Sequence, residues 1–150
     1  MYWACCPVLS DFRDFGYNTA TDTFVQLPPG YIELHGDRLY HKEITFGAME
    51  GSPLMALGLD GRVLRLIAEN MEDYEVFGDT VYYYWMDQVY PEYPGVYQFD
   101  IYKYSWESGE TDKVCTYAGE CSHIELFDGY AMFYDSSEEG AVGLRMDYEE

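Results

Sequence analysis

The sequence has little positive charge and no long apolar run. Its 150 residues include 28 Asp and Glu but only 8 Lys and Arg, which leaves a formal net charge of −20. Proteins that bind nucleic-acid backbones or anionic membranes need a cationic face. A membrane helix needs roughly 18 to 20 apolar residues in a row, and no charge-free stretch approaches that length. We therefore expect neither nucleic acid nor a membrane as a partner.

A secretory signal is also missing from the start of the chain. The first residues lack a basic segment followed by an apolar run, so no signal peptide is predicted. The localisation is left open: cytoplasmic for the chain as it stands, and exported if the chain is a fragment of a longer protein. Hydrophobic residues make up 48% and aromatics 19%, too much for a disordered chain. We expect one globular domain over residues 1–150.

Motifs that carry catalysis or metal binding are absent. The sequence has no Gly-rich phosphate loop, no G-x-S-x-G, no C-x₂-C pair and no H-E-x-x-H. The histidines are interpreted as ordinary surface residues. We predict no catalytic residue, no metal and no cofactor, and a non-enzymatic role is favoured without being decided. The three histidines are His35, His41 and His123.

The four cysteines allow two interpretations. Cys5 and Cys6 are sequence neighbours, which seldom bond to each other, whereas Cys115 and Cys121 are six residues apart. A disulfide between Cys115 and Cys121 could close a hairpin if the chain is exported. The alternative is that all four are reduced thiols packed as small hydrophobic side chains.

Aromatic residues are abundant and indicate β structure. The chain has 17 Tyr, 8 Phe and 3 Trp, many of them next to Val, Ile or Thr. These side chains suit a pleated, half-buried surface. Residues 62–70 are the best helical candidate, although their pattern also fits a strand.

A short pattern occurs three times, in residues 32–40, 74–82 and 124–132. Each copy reads apolar, Glu, apolar, any residue, a Gly/Asp pair, and apolar residues again. Gly and Asp tolerate the positive φ angles of two-residue hairpin turns, so each copy predicts a strand, a tight turn and a return strand. The copies start 42 residues apart (32 to 74) and 50 residues apart (74 to 124), which is a propeller-blade spacing.

A second hairpin pattern precedes each copy, in residues 15–27, 57–66 and 102–114. Its regularity favours a strand for residues 62–68. An inner hairpin opened by the Glu-containing strand and an outer hairpin make a four-stranded unit. The predicted fold class is all-β, with antiparallel four-stranded repeat units forming about three propeller-like blades, as a partial or open propeller. The approximate unit limits are 15–43, 54–86 and 98–134, with a final strand near 141–147.

Over residues 15–147 the pattern resembles bacterial propeller-like repeat proteins of uncharacterised function, related to the propeller of low-density lipoprotein receptors. Residues 84–87 are the nearest approach to the Tyr-Trp-Thr-Asp signature of the receptor family, which is otherwise absent. The resemblance implies a propeller architecture. Because the chain supplies about three blades, it leaves three options open: a piece of a longer chain, an open sheet array, or a homodimer.

The repeated glutamates are one candidate site. Glu33, Glu75 and Glu125 occupy matching positions, and matching blade positions lie on a common ring around a propeller axis. Converging carboxylates could bind a cation or cleave a glycoside. Strict alternation instead predicts that they point to solvent between buried neighbours.

The Tyr-rich stretch 82–97 is the other candidate site. Its two prolines preclude a central strand there, so its later tyrosines are predicted on a loop. Such tyrosines contact peptide, glycan or protein partners, or pack back onto the sheet. The candidate binding residues are Tyr84, Trp85, Tyr90, Tyr93 and Tyr97.

The leading functional hypothesis is a non-catalytic interaction module that presents Tyr-rich loops on an acidic scaffold. Its partner would be a protein, a peptide or a glycan. The alternative is an acidic inhibitor or immunity-type protein that blocks a basic active site or mimics nucleic acid, since a charge of −20 steers a protein towards cationic partners. A propeller hydrolase that uses the repeated glutamates is a third hypothesis.

Overall fold

The structure is a computed structural model that describes residues 14–19, 21–44, 51–88, 95–136 and 141–145. These residues form antiparallel β-sheets. The chain divides into two compact units between Asn70 and Met71. The described residues include no helix that is long and apolar enough to cross a membrane.

The first unit contains a two-stranded hairpin and a four-stranded sheet. The hairpin strands are β1 (Asp14–Asn18) and β2 (Thr23–Leu27). The sheet strands are, in spatial order, β3 (Gly30–His35), β4 (Arg38–Glu43), β5 (Ser52–Leu57) and β6 (Val63–Met71). The last residue of β6 falls just beyond the boundary between the units.

The second unit contains a four-stranded and a three-stranded sheet. The strands of the first are β7 (Asp73–Phe77), β8 (Thr80–Gln88), β9 (Tyr97–Ser105) and β10 (Thr111–Gly119). The strands of the second are β11 (Cys121–Phe127), β12 (Tyr130–Asp135) and β13 (Ala141–Arg145). In both sheets, strands adjacent in sequence are adjacent in space.

The structure confirms the predicted all-β fold with antiparallel four-stranded repeats. The ambiguous segment is extended, because β6 starts at Val63. Each sheet starts with its Glu-containing hairpin, so the two complete sheets span 30–71 and 73–119. The unit limits predicted from the sequence, 15–43, 54–86 and 98–134, instead combine the last hairpin of one sheet with the first hairpin of the next. The reason is that β4 pairs with β5, and β8 with β9, within the observed sheets. One domain over 1–150 stays a prediction.

The three tight turns depend on glycine. Gly36 (φ 64°), Gly78 (φ 60°) and Gly129 (φ 77°) have positive φ values, a region that other residues rarely adopt. Glycine is the first central residue of the two Gly-Asp turns, as a type II′ turn requires. In the reversed Asp-Gly turn, glycine is the second central residue. The reversed order therefore still closes a two-residue hairpin.

The copies of the repeat are structurally equivalent. Ile32, Tyr74 and Ile124 each lie in the first strand of a sheet, at the same distance from its turn. Their cross-strand partners are His41, Tyr83 and Phe133. The first inward position after each turn is fully buried in all three sheets, and it holds Leu39, Val81 and Ala131.

Each unit has its own apolar core between neighbouring sheets. In the first unit, Leu27 of β2 packs with Leu39 and Leu57 of the four-stranded sheet. In the second unit, the core joins β8 and β9 to β11 and β12. Its buried members are Tyr82, Phe99, Ile101, Leu126, Ala131 and Phe133. This packing brings β7 and β11, the first strands of their sheets, next to each other.

Candidate functional site

A cavity of about 430 Å³ lies between β7 and β11, and we call it the β7–β11 cleft. Three carboxylates, one imidazole, three aromatic rings and two aliphatic side chains line it. The polar lining residues are Asp73, Glu75, Glu125 and His123. The aromatic lining residues are Tyr74, Tyr84 and Phe127.

The strand geometry explains why acidic groups meet in this cleft. Side chains two residues apart point to the same side of a strand, so Asp73 and Glu75 share one side of β7. His123 and Glu125 share one side of β11 in the same way. Since Glu75 and Glu125 are matching repeat positions, packing the two sheets together brings both glutamates to one cavity. Two of the three repeated glutamates therefore line the same cavity, while Glu33 belongs to the first unit.

The Glu125 carboxylate is held by two neighbours. The hydroxyl of Tyr134, on β12, donates a hydrogen bond of 3.2 Å to Glu125 Oε2. His123 Nε2 lies 3.4 Å from Glu125 Oε1, and the His123 ring is tilted against the Tyr134 ring at 5.5 Å. Burial, and then the charge of Glu125, raises the pKa of Tyr134. The phenol therefore stays protonated and keeps donating to the carboxylate.

Tyr84 forms part of the cleft wall from β8. It lies opposite Asp73 in the β7–β8 register, and its ring meets the edge of Phe99 at 6.2 Å. Burial, followed by the charges of Asp73 and Glu72, raises the pKa of Tyr84 to about 12. Tyr84 therefore presents a neutral phenol at neutral pH.

The structure places three of the five candidate binding residues of the Tyr-rich stretch on strands. Tyr84 and Trp85 lie in β8 and Tyr97 begins β9. Tyr84 and Tyr97 are half-buried and pack against the core of the second unit. Trp85 is half-buried and lies opposite Asp100. Tyr90 and Tyr93 lie outside the described residues, so their role in binding stays a prediction.

The histidine interpretation is wrong for His41. His41 is fully buried, and its Nε2 lies 3.1 Å from the carbonyl oxygen of Pro29. It occupies the repeat position of Tyr83 and Phe133, which faces inward on the second strand of each sheet. Aligning the three copies one residue at a time would have revealed this.

The first unit repeats the pairing of histidine with glutamate. His35 Nε2 lies 3.3 Å from Glu33 Oε2, and the two residues are again two positions apart on one strand. No group of three or more His, Cys, Asp or Glu side chains in the described part of the chain is arranged to hold a metal ion.

The two described cysteines are free thiols that pack against the core of the second unit. Burial, and then the charge of Asp100, raises the pKa of Cys115 to about 11. Burial also raises the pKa of Cys121, whose Sγ donates to the carbonyl oxygen of His123 at 3.0 Å. Because the thiolate is the nucleophile, neither thiol is activated for catalysis.

A second polar cluster surrounds Asp100 on β9. Its carboxylate accepts hydrogen bonds from Lys113 Nζ at 2.8 Å, from Thr116 Oγ1 at 2.7 Å, and from Gln98 Nε2 at 3.3 Å. Burial alone would raise the pKa of Asp100, but these bonds outweigh it and hold that pKa below its ordinary value. The hydrogen bond to Asp100 raises the pKa of Lys113. These hydrogen bonds stabilise the pairing of β10 with β9, so we assign the cluster a role in stability.

We expect Asp100→Asn to lower the free energy of unfolding by about 1 kcal/mol at neutral pH. The native pKa of Asp100 is below its unfolded value, so its contribution is present above about pH 4 and is lost as the pH falls through the native pKa. The contribution of Lys113 is complete below about pH 10.4 and is lost as the pH rises through its raised native pKa. Urea unfolding from pH 2 to 11 measures both limits.

The matched control for this pH series is Asp112→Asn, which removes an exposed carboxylate from β10. Its stability difference from the parent protein should stay small across the series. If the difference between parent and Asp100→Asn did not shrink in acid, the pairing of Asp100 would have no role in acid unfolding.

Comparison with known proteins assigns no family to this chain. No protein-family model matches it, and no match is found among curated proteins. The resemblance to propeller-like repeat proteins rests on the repeat pattern and stays a prediction.

Proposed function

We propose that this protein is a non-catalytic binding module whose β7–β11 cleft receives cationic side chains of a protein or peptide partner. The observation that carries the proposal is the shared cavity of Glu75 and Glu125, two matching repeat positions on neighbouring sheets. Asp73 adds a third carboxylate to the same cavity. Cationic side chains are the groups that complement this charge.

The lining of the cleft suits lysine and arginine side chains. Carboxylates form short charge-assisted hydrogen bonds with ammonium and guanidinium groups, and these bonds are stronger than neutral ones. The face of an exposed aromatic ring such as that of Phe127 attracts the same cations. A net charge of −20 draws a basic partner towards the protein before contact.

Binding fits the cleft better than hydrolysis of a glycoside. A catalytic carboxylic acid needs a shielded, apolar surrounding that keeps it protonated near neutral pH. The side chain of Glu125 is 43% exposed and lies beside an imidazole and a phenol. These partly exposed surroundings differ from the shielded site of a catalytic acid, and they hold the carboxylate in position for a cation.

The proposal centres the binding surface on the carboxylates of the cleft rather than on the Tyr-rich stretch. Tyr84 packs against the core of the second unit and also lines the cleft, whereas Tyr97 packs against that core. An inhibitor of a basic active site, the alternative from the sequence, would use the same charge complementarity. In either case the affinity should fall as salt rises, because the charges are partly exposed.

We expect the double variant Glu75→Gln/Glu125→Gln to bind a basic peptide about tenfold more weakly. Each lost charge contact is worth about 0.7 kcal/mol at a partly exposed site, and 1.4 kcal/mol corresponds to a factor of ten. The probe is a fluorescently labelled peptide with three arginines separated by glycines, and the readout is fluorescence anisotropy. The same peptide with citrulline in place of arginine reports binding without the charge.

The control variant is Glu107→Gln/Glu110→Gln, which removes two charges from the exposed loop between β9 and β10. It changes the net charge by the same amount, so long-range attraction drops equally in both variants. The control should bind the arginine peptide within about twofold of the parent protein, because only long-range attraction is reduced. Equal weakening in the two variants would show that the cleft has no special role.

A further inference from the structure

The second unit carries two exposed aromatic rings side by side. Phe127 is 44% exposed and Tyr130 is 50% exposed. Phe127 ends β11 and Tyr130 begins β12, and the two residues are directly opposite each other in the β11–β12 register. Directly opposite side chains in an antiparallel pair lie on the same face of the sheet, close enough to contact each other. We call Phe127 and Tyr130 the aromatic pair.

The aromatic pair lies on the face of its sheet that is turned away from the core. Side chains alternate between the two faces of a sheet, and the core of the second unit uses the neighbouring positions Leu126 and Ala131. Gly143 of β13 lies opposite Met132, on the same face as the aromatic pair. Within the described part of the chain, no heavy atom lies within 4 Å of a Cβ built at Gly143. The surface beside the aromatic pair is therefore open.

The aromatic pair is continuous with the β7–β11 cleft. Phe127 lines the cleft together with Glu125. These two residues are two positions apart on β11, so their side chains point to the same side of the strand, roughly 6 to 7 Å apart. An acidic group and an apolar surface therefore lie next to each other at the spacing of alternate residues in an extended chain.

We propose that the partner is an extended basic peptide segment with an apolar residue two positions from an arginine or lysine. The cationic side chain enters the cleft and the apolar side chain packs on the aromatic pair. This inference rests on the proposed function, because the cation places the partner on the cleft. In an extended peptide, side chains two positions apart share one side and have the spacing of Glu125 and Phe127. Aromatic rings offer a large apolar surface to such a side chain.

Charge complementarity favours a basic peptide over a second copy of this chain. Each copy carries a net charge of −20, and the aromatic pair is flanked by Glu125 and by the exposed Asp128 of the turn. Two such surfaces brought together would place carboxylates of both copies near each other, which opposes association. A basic peptide brings the opposite charge to the same surface.

The test compares two fluorescently labelled peptides by fluorescence anisotropy. Both contain three arginines separated by glycines. One peptide continues at each end with glycine and phenylalanine, and the other continues with glycine and serine, so their charges are equal. We expect the phenylalanine peptide to bind about tenfold more tightly, as partial burial of one apolar side chain provides. This ratio should persist at high salt, where the affinity of both peptides falls.

Tyr130→Ser should reduce the advantage of the phenylalanine peptide to about twofold and leave the affinity of the serine peptide unchanged. Tyr130→Phe keeps the ring and should keep the full advantage. The matched control is Tyr31→Ser, which removes a tyrosine that is 67% exposed from the first unit. The control should bind both peptides as the parent protein does. Far-UV circular dichroism and urea unfolding verify that each variant is folded.

The double variant Glu75→Gln/Glu125→Gln separates this inference from the proposed function. It should weaken the binding of both peptides and leave their ratio intact. Equal affinities of the two peptides for the parent protein would overturn the inference and leave the proposed function standing. If neither peptide bound, both would be overturned.

Two further results would overturn the assignment of the aromatic pair. One is an advantage of the phenylalanine peptide that survives Tyr130→Ser. The other is a dimer of the parent protein in sedimentation velocity that Tyr130→Ser abolishes, because a second copy would then cover the aromatic pair.

Discussion

Phe133→Ala is expected to lower the free energy of unfolding by about 3 to 5 kcal/mol. Phe133 is fully buried on β12, where its ring stacks on Tyr117 at 4.4 Å and lies 6.0 Å from Phe99. Tyr117 and Phe99 belong to the other sheet of the second unit, so Phe133 connects the two sheets across their core. Its removal leaves a cavity as well as losing apolar burial.

Urea unfolding followed by intrinsic fluorescence measures this loss. The matched control is Phe127→Ala, because Phe127 has the same side chain in the same sheet but is 44% exposed. The control should cost about 1 kcal/mol or less. Similar losses for the two variants would be incompatible with a core in which Phe133 connects the sheets.

Gly30→Ala is expected to cost about 2 to 3 kcal/mol. A Cβ atom at Gly30 would collide with the backbone carbonyl oxygen of Lys42 and with the His41 imidazole on the neighbouring strand β4. The carbonyl cannot move without disturbing the β3–β4 ladder. Displacing the imidazole breaks its contact with the carbonyl of Pro29. The same urea titration measures the effect.

Gly143→Ala is the control for this substitution. Gly143 also lies in a strand, and no heavy atom of the described residues lies within 4 Å of a Cβ built there. We expect a change within about 0.5 kcal/mol, since alanine fits the space and restricts the unfolded chain. A neutral Gly30→Ala would mean that β3 and β4 are farther apart than the structure places them.

The turns and strands were predictable because their causes are local. Alternating apolar residues, with Gly and Asp at the centre of each copy, indicate a strand, a tight turn and a return strand without reference to the rest of the chain. Residues 62–68 were ambiguous alone, and the spacing of the repeat favoured the extended form that β6 has. The limits of the sheets needed more than this, since pairing of β4 with β5 and of β8 with β9 decides which hairpins share a sheet.

The candidate site was predictable only in part. The repeat identified Glu75 and Glu125 as matching positions, but alternation by itself favoured solvent-facing side chains. Their shared cavity depends on the packing of Leu126, Phe133 and Tyr82 between the two sheets. The hydrogen bond from Tyr134, on the neighbouring strand, to Glu125 could not be anticipated from spacing either.

His41 and Tyr84 show how a residue's role depends on the neighbouring sheet. A lone histidine on a strand is usually at the surface, yet His41 is buried because its position faces inward in each copy of the repeat. Tyr84 was predicted to contact a partner, and this stays a prediction, since Tyr84 packs half-buried against the core of the second unit and also lines the β7–β11 cleft. Residue type alone does not distinguish these outcomes.

The amino-acid order by itself determined the β class, the repeat, the glycine turns and the strong negative charge, because each depends on neighbours within a few positions or on a simple count. The tertiary structure alone decided that Glu75 and Glu125 line one cleft and that Phe133 connects the two sheets of the second unit. These features depend on contacts between strands far apart in sequence, and such contacts form only when whole sheets pack against each other.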